Sequence, residues 1–304
     1  MRILLTSYSR YPAKIGGNGS SRIHDALALG LAELGHTVYY SVDEGFAKPL
    51  PDGIVKSSRR RRKVDIYHFN DYPADVDGKR PPGPPPGMPW VHTCHGPDEG
   101  VFPPDLAKHF IWSSRGHAAK FGGTRYVWNG IDPGDFIYSE TKDDYFLYIV
   151  SCLSRMHKGL PIALAVAHRL GLRLVVAGQR DVFLPPAPNV TYTGYVNGKR
   201  KAALLAGAKA MFFPVQIAEP FGLVVAEALM SGTPVIGSNN GSVPELVTPD
   251  VGFTCDTLDQ YVAAAERIGE ISPAACRKRA MTEFHYRVMA ERYAAEYERE
   301  LGSA

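Results

Sequence analysis

Glu219 and Glu227 frame the stretch Glu219-Pro220-Phe221-Gly222-Leu223-Val224-Val225-Ala226-Glu227-Ala228-Leu229-Met230. Their spacing is not an integral number of helical turns, so the two carboxylates need not share one helix face. Pro220 suits a first helical turn, where its missing N–H has no partner to lose, and that leaves Glu219 at the helix mouth. Glu227 then sits among Leu223, Val224, Val225, Ala228 and Leu229. A carboxylate buried there alone is costly, so Glu227 is expected to meet a hydroxyl pair, a base or backbone donors. A bidentate grip on ribose hydroxyls is one solution; an exposed glutamate on an ordinary helix is the bland alternative. His95 follows the run Trp90-Val91-His92-Thr93-Cys94 and precedes Gly96-Pro97, at what reads as the carboxyl end of a strand, where ligands are met in α/β sheets. His68, His92 and His109 read as structural or as supports behind the site. His92 and His95 lack a carboxylate or third histidine at metal-like spacing, so no metal site is expected.

The elements that must hold these residues follow from the apolar pattern. Ile3-Leu4-Leu5 is a buried-strand signal, followed by a loop with Gly16, Gly17 and Gly19. Helical spacing runs from Ser21 to Leu34, and Thr37 to Tyr40 is a second strand. Further strands are expected at Val64 to His68, up to Thr93, at His109 to Trp112 and at Tyr126 to Trp128. The turn cluster Asn129-Gly130-Ile131-Asp132-Pro133-Gly134 is the best boundary. Beyond it strands at 145–150, 172–177, 190–193, 210–213 and 235–237 alternate with helices at 160–170, 198–206, 221–230 and 258–268. Residues 272–301 read as one or two terminal helices. Two successive runs of alternating strands and helices predict two α/β domains with a cleft between them.

Size and charge agree with that organisation. The chain has 304 residues, 34 Lys+Arg against 31 Asp+Glu, and 45% hydrophobic content. That suits one large domain or two ordinary ones, and argues against disorder and against nucleic-acid binding by bulk electrostatics. Cys94, Cys152, Cys255 and Cys276 are too scattered for a disulfide scaffold or a structural zinc site. No signal peptide and no apolar run of about 20 residues is read, so a cytoplasmic protein is expected. The run Arg59 to Lys63 is a solvated face, or a local field for a phosphorylated acceptor or membrane surface. Pro81 to Gly87 reads as a stiff surface connection, with a proline-rich recognition segment as the alternative.

The segment from Glu219 to Ile236 resembles the EPFGxxxxEA–G–PV signature of the family-4 retaining glycosyltransferases. Other motifs extend the resemblance in order along the chain. Gly16-Gly17-Asn18-Gly19 is similar to the family's first glycine loop, and Gly35-His36-Thr37-Val38 to its strand entry. Asn129-Gly130-Ile131-Asp132 is similar to its interdomain NGID, Lys158-Gly159 to the end of its "GR…KG" loop, and Gly237 to Glu245 to its late glycine turn. Any one glycine cluster is weak; the ordered set is specific.

The resemblance implies a GT-B type fold: two Rossmann-like domains facing across a central cleft. The expected division is 1–135 for the acceptor side, 136–272 for the nucleotide sugar, and 273–304 for terminal helices crossing back to the first domain. It implies transfer of a sugar, a hexose by expectation, from a nucleotide diphosphate sugar to a hydroxyl acceptor. The donor, a UDP- or GDP-sugar, is a co-substrate; no cofactor and no metal is implied. Glu227 would take the ribose hydroxyls and Glu219 those of the transferred sugar. Arg155 and Lys158 would face the diphosphate, with amides near Phe221, Gly222 and Leu223 at a helix N-terminus. Gly17 would let backbone approach the donor, and His95 would contact a sugar hydroxyl. The acceptor is a small molecule, glycan or lipid-linked species; no nucleic acid and at most peripheral membrane contact are implied.

Two departures matter. The family arginine directly after the glycine of "GR" is missing: Val150-Ser151-Cys152-Leu153-Ser154-Arg155 places Cys152 or a neighbour there, with Arg155 as the substitute cation. The first domain is also short, passing from Val64 to Trp90 through the proline–glycine connection, which implies an open acceptor side. Alternatives are a non-catalytic or weakly active nucleotide-sugar-binding relative, or a sugar-nucleotide epimerase or phosphorylase of the same shape. A dinucleotide oxidoreductase is disfavoured because Arg22 stands at the third fingerprint glycine.

Overall fold

The computed structural model describes residues 1–7, 9–13, 19–58, 63–70, 86–96, 107–184 and 186–302. Gly16, Gly17 and Asn18 of the first glycine loop, Arg59 to Arg62, and Pro81 to Pro85 lie outside the described residues. The chain divides into two compact units, Met1–Ile131 with Glu283–Ala304, and Asp132–Thr282.

Unit 1 is built on a six-stranded sheet of order β3-β2-β1-β4-β5-β6, in which every pairing is parallel. Its strands are β1 (Arg2–Ser7), β2 (Thr37–Val42), β3 (Ile54–Lys56), β4 (Ile66–Phe69), β5 (Trp90–Cys94) and β6 (Phe110–Trp112). Parallel strands covered on both faces need continuous apolar runs rather than alternation, and β4 is buried at all its positions although one of them is His68. Helix α1 (Gly19–Glu33) follows β1, and α2 (Arg115–Lys120) follows β6 with Ser114 as its cap, whose side chain accepts from the His117 N–H. The last helix of the chain, α9 (Tyr286–Gly302), belongs to this unit. It lies on α1 through Gly30, where a Cβ would come within 2.7 Å of the Ala290 Cβ. Tyr293 and Tyr297 of α9 are buried.

Unit 2 repeats the topology. Its six-stranded sheet runs β12-β11-β10-β7-β8-β9, with strands β7 (Phe146–Cys152), β8 (Leu174–Gln179), β9 (Val190–Gly194), β10 (Ala210–Phe213), β11 (Val235–Ser238) and β12 (Gly252–Cys255). Again all pairings are parallel. The connecting helices are α3 (Leu160–Leu170), α4 (Gly198–Gly207), α5 (Leu223–Met230), α6 (Val243–Leu246), α7 (Leu258–Arg267) and α8 (Pro273–Glu283). Phe146, Tyr148, Val176, Phe212, Ile236 and Tyr261 are part of its core. Strand order reverses between β1 and β4 in unit 1, and between β7 and β10 in unit 2. In such sheets the loops after these strands diverge and leave a crevice for a ligand.

Three sequence expectations change. Tyr126 to Trp128 is not a strand; Tyr126 makes only an isolated bridge to Trp112. The edge strands β3 and β12 were not read, because three or four residues at a sheet edge with few apolar positions carry little pattern. Helix α5 begins at Leu223, so Pro220 stays in the preceding loop instead of opening the helix: Gly222 adopts φ +82° and stops the helix from extending backwards.

Candidate functional site

The loops after β7 and β10 meet at the reversal point of the second sheet. Strand β7 shifts register against β8 between Ile149 and Cys152, where the sequence departs from the family pattern. The following loop is tied down by Asp181, whose carboxylate accepts from the Ser154 N–H at 2.9 Å and the Ser154 hydroxyl at 2.5 Å. A 3₁₀ turn over Met156–Lys158 then ends on Gly159, at φ +84°. A Cβ at Gly159 would lie 1.9 Å from the Pro214 carbonyl oxygen, so only glycine lets the two loops touch here. The Gln216 N–H donates to the His157 carbonyl at 2.7 Å. Across this contact the Lys158 ammonium donates to Glu219 Oε2 at 2.5 Å, with side chains only 18% and 13% exposed.

Glu219 is held from its other side by the turn after β11. A Cβ at Gly241 (φ +56°) would stand 2.4 Å from the Glu219 nitrogen. The Ser242 N–H donates to the Glu219 carbonyl at 3.0 Å, and the Ser242 hydroxyl donates to the Phe221 carbonyl at 2.8 Å. Three loops therefore fix one carboxylate through backbone contacts, which is the kind of support a positioned side chain needs. Gly222 packs on the Phe213 ring and opens α5 beside Leu223; Phe221 is buried.

Glu227 is almost wholly buried, as its apolar neighbours require, and its carboxylate is paired with the Lys201 ammonium of α4. Lys201 is the residue that sequence reasoning missed. Its only trace in the sequence is the Lys199-Arg200-Lys201 run at the start of α4, which offers cations but does not say that one of them reaches Glu227. The structure thus brings Lys158 to Glu219 and Lys201 to Glu227. Arg155 stands at the start of the 3₁₀ turn with an exposed side chain; its N–H donates to the Cys152 carbonyl at 3.3 Å and its carbonyl accepts from the Lys158 N–H at 2.9 Å. Gly17 lies outside the described residues.

His95 is in unit 1, just beyond β5, and its Nε2 lies 3.4 Å from Nε2 of His24 on α1. Behind this pair is a buried polar group. His68 Nδ1 bonds the Tyr297 hydroxyl and His68 Nε2 bonds Thr93 Oγ1, each at 2.6 Å, and Thr93 Oγ1 is 2.7 Å from the Tyr293 hydroxyl. His92 Nδ1 donates to the Phe69 carbonyl at 3.1 Å. Burial first, and then neighbouring histidines, push His24 and His68 well below the ordinary imidazole value, so both are neutral at pH 7. Among the described residues no group of three or more His, Cys, Asp or Glu side chains is placed to hold a metal ion. No helix among them is long and apolar enough to cross a membrane.

Comparison with known proteins places this geometry. Residues 135–280 match the family model described as glycosyl transferases group 1. A glycogen synthase of Mycobacterium tuberculosis is 34% identical over 139 residues, 40% of this chain and 33% of that protein. A GDP-mannose-dependent alpha-(1-6)-phosphatidylinositol dimannoside mannosyltransferase of the same species is 31% identical over 113 residues, 35% of this chain and 29% of that protein. The chain spans about a third of the length of these curated relatives. Among solved structures, AviGT4, a glycosyltransferase involved in avilamycin A biosynthesis, superposes with a TM-score of 0.79 at 26% identity, covering 100% of this chain and 98% of that one. Sucrose-phosphate synthase from Thermosynechococcus elongatus shares the fold, with a TM-score of 0.69 at 18% identity and full coverage of both chains (100% each). The protein has the GT-B type of fold, and its match to the glycosyl transferases group 1 model lies within unit 2.

Proposed function

We propose that the protein is a family-4 type retaining glycosyltransferase, moving a hexosyl group from a nucleotide diphosphate sugar to a hydroxyl acceptor without a cofactor or a metal. The observation that carries this reading is the Lys158–Glu219 contact at the reversal point of the second sheet, held by loops from three strands and lying inside the matched domain. The 31% identical relative named as GDP-mannose-dependent supports a nucleotide diphosphate sugar as the donor class.

In this reading Lys158 and Arg155 face the diphosphate, and the amides at Gly222 and Leu223 add backbone donors. Glu219 grips the sugar, with Phe221 setting its loop, and Glu227 takes the ribose hydroxyls while Lys201 keeps its charge compensated. Gly17 gives close backbone approach and His95 contacts a sugar hydroxyl. The acceptor oxygen bonds to the anomeric carbon as the bond from that carbon to the diphosphate oxygen breaks. The electron pair leaves with the nucleotide diphosphate, whose oxygen takes the acceptor proton on the same face. Retaining hydrolases instead set two carboxylates about 5 Å apart around the bond. Here both glutamates are engaged by lysines, which favours front-side transfer.

The test has two stages. Thermal protection by UDP, GDP or ADP identifies the donor base, and donor turnover with proton NMR of the product then reports anomeric configuration. Glycoside of retained configuration plus nucleotide diphosphate is expected. Inverted product, an epimerised donor, or no protection by any of the three nucleotides overturns the reading. The missing family arginine near Cys152 supports a second one, a binding relative, for which tight donor binding without turnover across an acceptor panel is the expected result.

A further inference from the structure

Neither of the histidines behind His95 is used by the reading above, yet one of them touches it. His24 is 1% exposed and reaches His95 from α1, Nε2 to Nε2. It is wedged in place: its ring meets His68 edge-on at 5.1 Å between centroids, and His95 likewise at 5.5 Å. His68 is itself locked by Tyr297 and Thr93. The opposite ring nitrogen of His24, Nδ1, is buried without a hydrogen-bond partner.

These facts fix proton positions. A neutral imidazole has one donor and one acceptor nitrogen, so across the pair one Nε2 must donate and the other accept. If His24 carried its proton on Nδ1, a buried N–H would be left with no partner, a costly arrangement and a rare one. With the proton on Nε2, only an unpaired acceptor remains at Nδ1, and the proton points at His95. His95 must then accept at Nε2 and carry its own proton on Nδ1.

We infer that His24 is a positioning residue that holds His95 as the Nδ1–H tautomer, so that His95 meets a donor-sugar hydroxyl as a hydrogen-bond donor through Nδ1. The functional half of this statement rests on the reading of His95 given above; the tautomer does not. The separation of 3.4 Å is long for N–H···N, as such contacts often are before a ligand tightens the site. Second-layer partners that fix an imidazole in one tautomer commonly matter by an order of magnitude or more.

The test is the ¹⁵N chemical shifts of His95 in uniformly labelled full-length protein at pH 7.5, assigned by difference against His95→Gln. The wild type is expected to show Nδ1 protonated and Nε2 unprotonated. His24→Gln keeps an amide N–H close to the position of Nε2 and should preserve that pattern. His24→Phe keeps a flat ring but no donor; it should move His95 towards the Nε2–H form and lower kcat by about tenfold or more, with the donor KM changed far less. A wild-type His95 already protonated on Nε2, or one whose nitrogen shifts are the same in His24→Phe, overturns the proposal. Should His24→Phe not fold, the wild-type spectrum alone still decides. His95→Ala separates the two claims: full kcat there would sink the role of His95 while leaving the tautomer assignment to the spectrum.

Discussion

The two units share one strand topology and build their polar clusters in opposite ways. Unit 2 sets opposite charges against each other, Lys158 with Glu219 and Lys201 with Glu227. Unit 1 assembles neutral imidazoles and hydroxyls around His68 and His24. In the function proposed above, the charges meet a diphosphate, because fixed cations offset charge that accumulates on a leaving group. Neutral donors suit sugar hydroxyls, which need direction more than field. On that proposal one scaffold would support two kinds of recognition, the difference lying in side chains rather than in topology.

Substitutions separate the two designs. The largest effect is expected at Glu219→Ala, with kcat at saturating donor falling by about 10²–10³ in a donor-turnover assay. Wild-type turnover would remove the carboxylate from the site. Gly241→Ala forces a Cβ into the Glu219 backbone and should cost about 10²-fold in turnover through misplacement alone. Its counterpart in unit 1 is Gly30→Ala, where the added methyl meets Ala290 of α9. That change should cost about 1–3 kcal/mol of stability in urea melts, with kcat of the folded protein unchanged. Loss of turnover in both variants would mean that the units do not divide labour in this way. Glu227→Ala should weaken donor binding by about tenfold or more, measured by calorimetry with the nucleotide diphosphate, and leave kcat nearly intact.

Acid and base should also act on different units. In unit 1, Asp25 accepts from the Ala13 N–H and the Tyr40 hydroxyl, each at 2.6 Å, and burial pushes its carboxyl up from 3.8 to about 6. A raised carboxyl favours the fold at low pH, so its contribution grows as pH falls from about 6 towards 4. His24 and His68, held below 6.5, act the other way: the unfolded chain takes up protons that the fold refuses, and stability is lost as pH drops through 6.5. Asp25→Asn should therefore steepen the acid loss of unit 1. Tryptophan fluorescence reads that unit alone, since Trp90, Trp112 and Trp128 all belong to it. In unit 2, Lys142 donates to the Ala206 and Ser231 carbonyls and to Thr233 Oγ1, and burial lowers its ammonium from 10.5 to about 8. Stability of unit 2 should rise between pH 8 and 10.5 as the charge is released, and Lys142→Met should flatten that rise in hydrogen exchange. A smaller effect is expected at Arg155→Ala, which should weaken donor binding more than Arg59→Ala under the same assay.

Legibility in the sequence followed the same division. Unit 2's candidate site stood out because Glu219, Gly222 and Glu227 fall within nine consecutive residues, and because a carboxylate among Val225, Ala228 and Leu229 demanded a partner. The partner itself was not readable: Lys201 comes from another helix, and sequence distance says nothing about which cation arrives. The role of the Gly241–Ser242 turn, clamping the Glu219 backbone, depends on a close approach that only coordinates show. In unit 1, His68 and His92 were read as structural or supporting and both are buried, but nothing in the sequence singled out His24. It is buried because α1 is covered by the sheet and by α9, and apolar periodicity does not register a histidine as core.

Helix α9 has a consequence for how the protein is made. The asparagine–glycine turn at 129–130 is clasped by this helix: the Gly130 N–H points at Met289 Sδ from 2.9 Å, and Tyr293 and Tyr297 close over Thr93 and His68. Unit 2 is one unbroken segment and can fold as soon as it leaves the ribosome. Unit 1 must wait for residues that are synthesised after the whole of unit 2, roughly 8–30 s later at ordinary elongation rates. During that interval the histidine-bearing strand ends have no tyrosines over them. A newborn chain therefore holds a complete unit 2 with unit 1 still unfinished, and the wait is where a chaperone would have most to do.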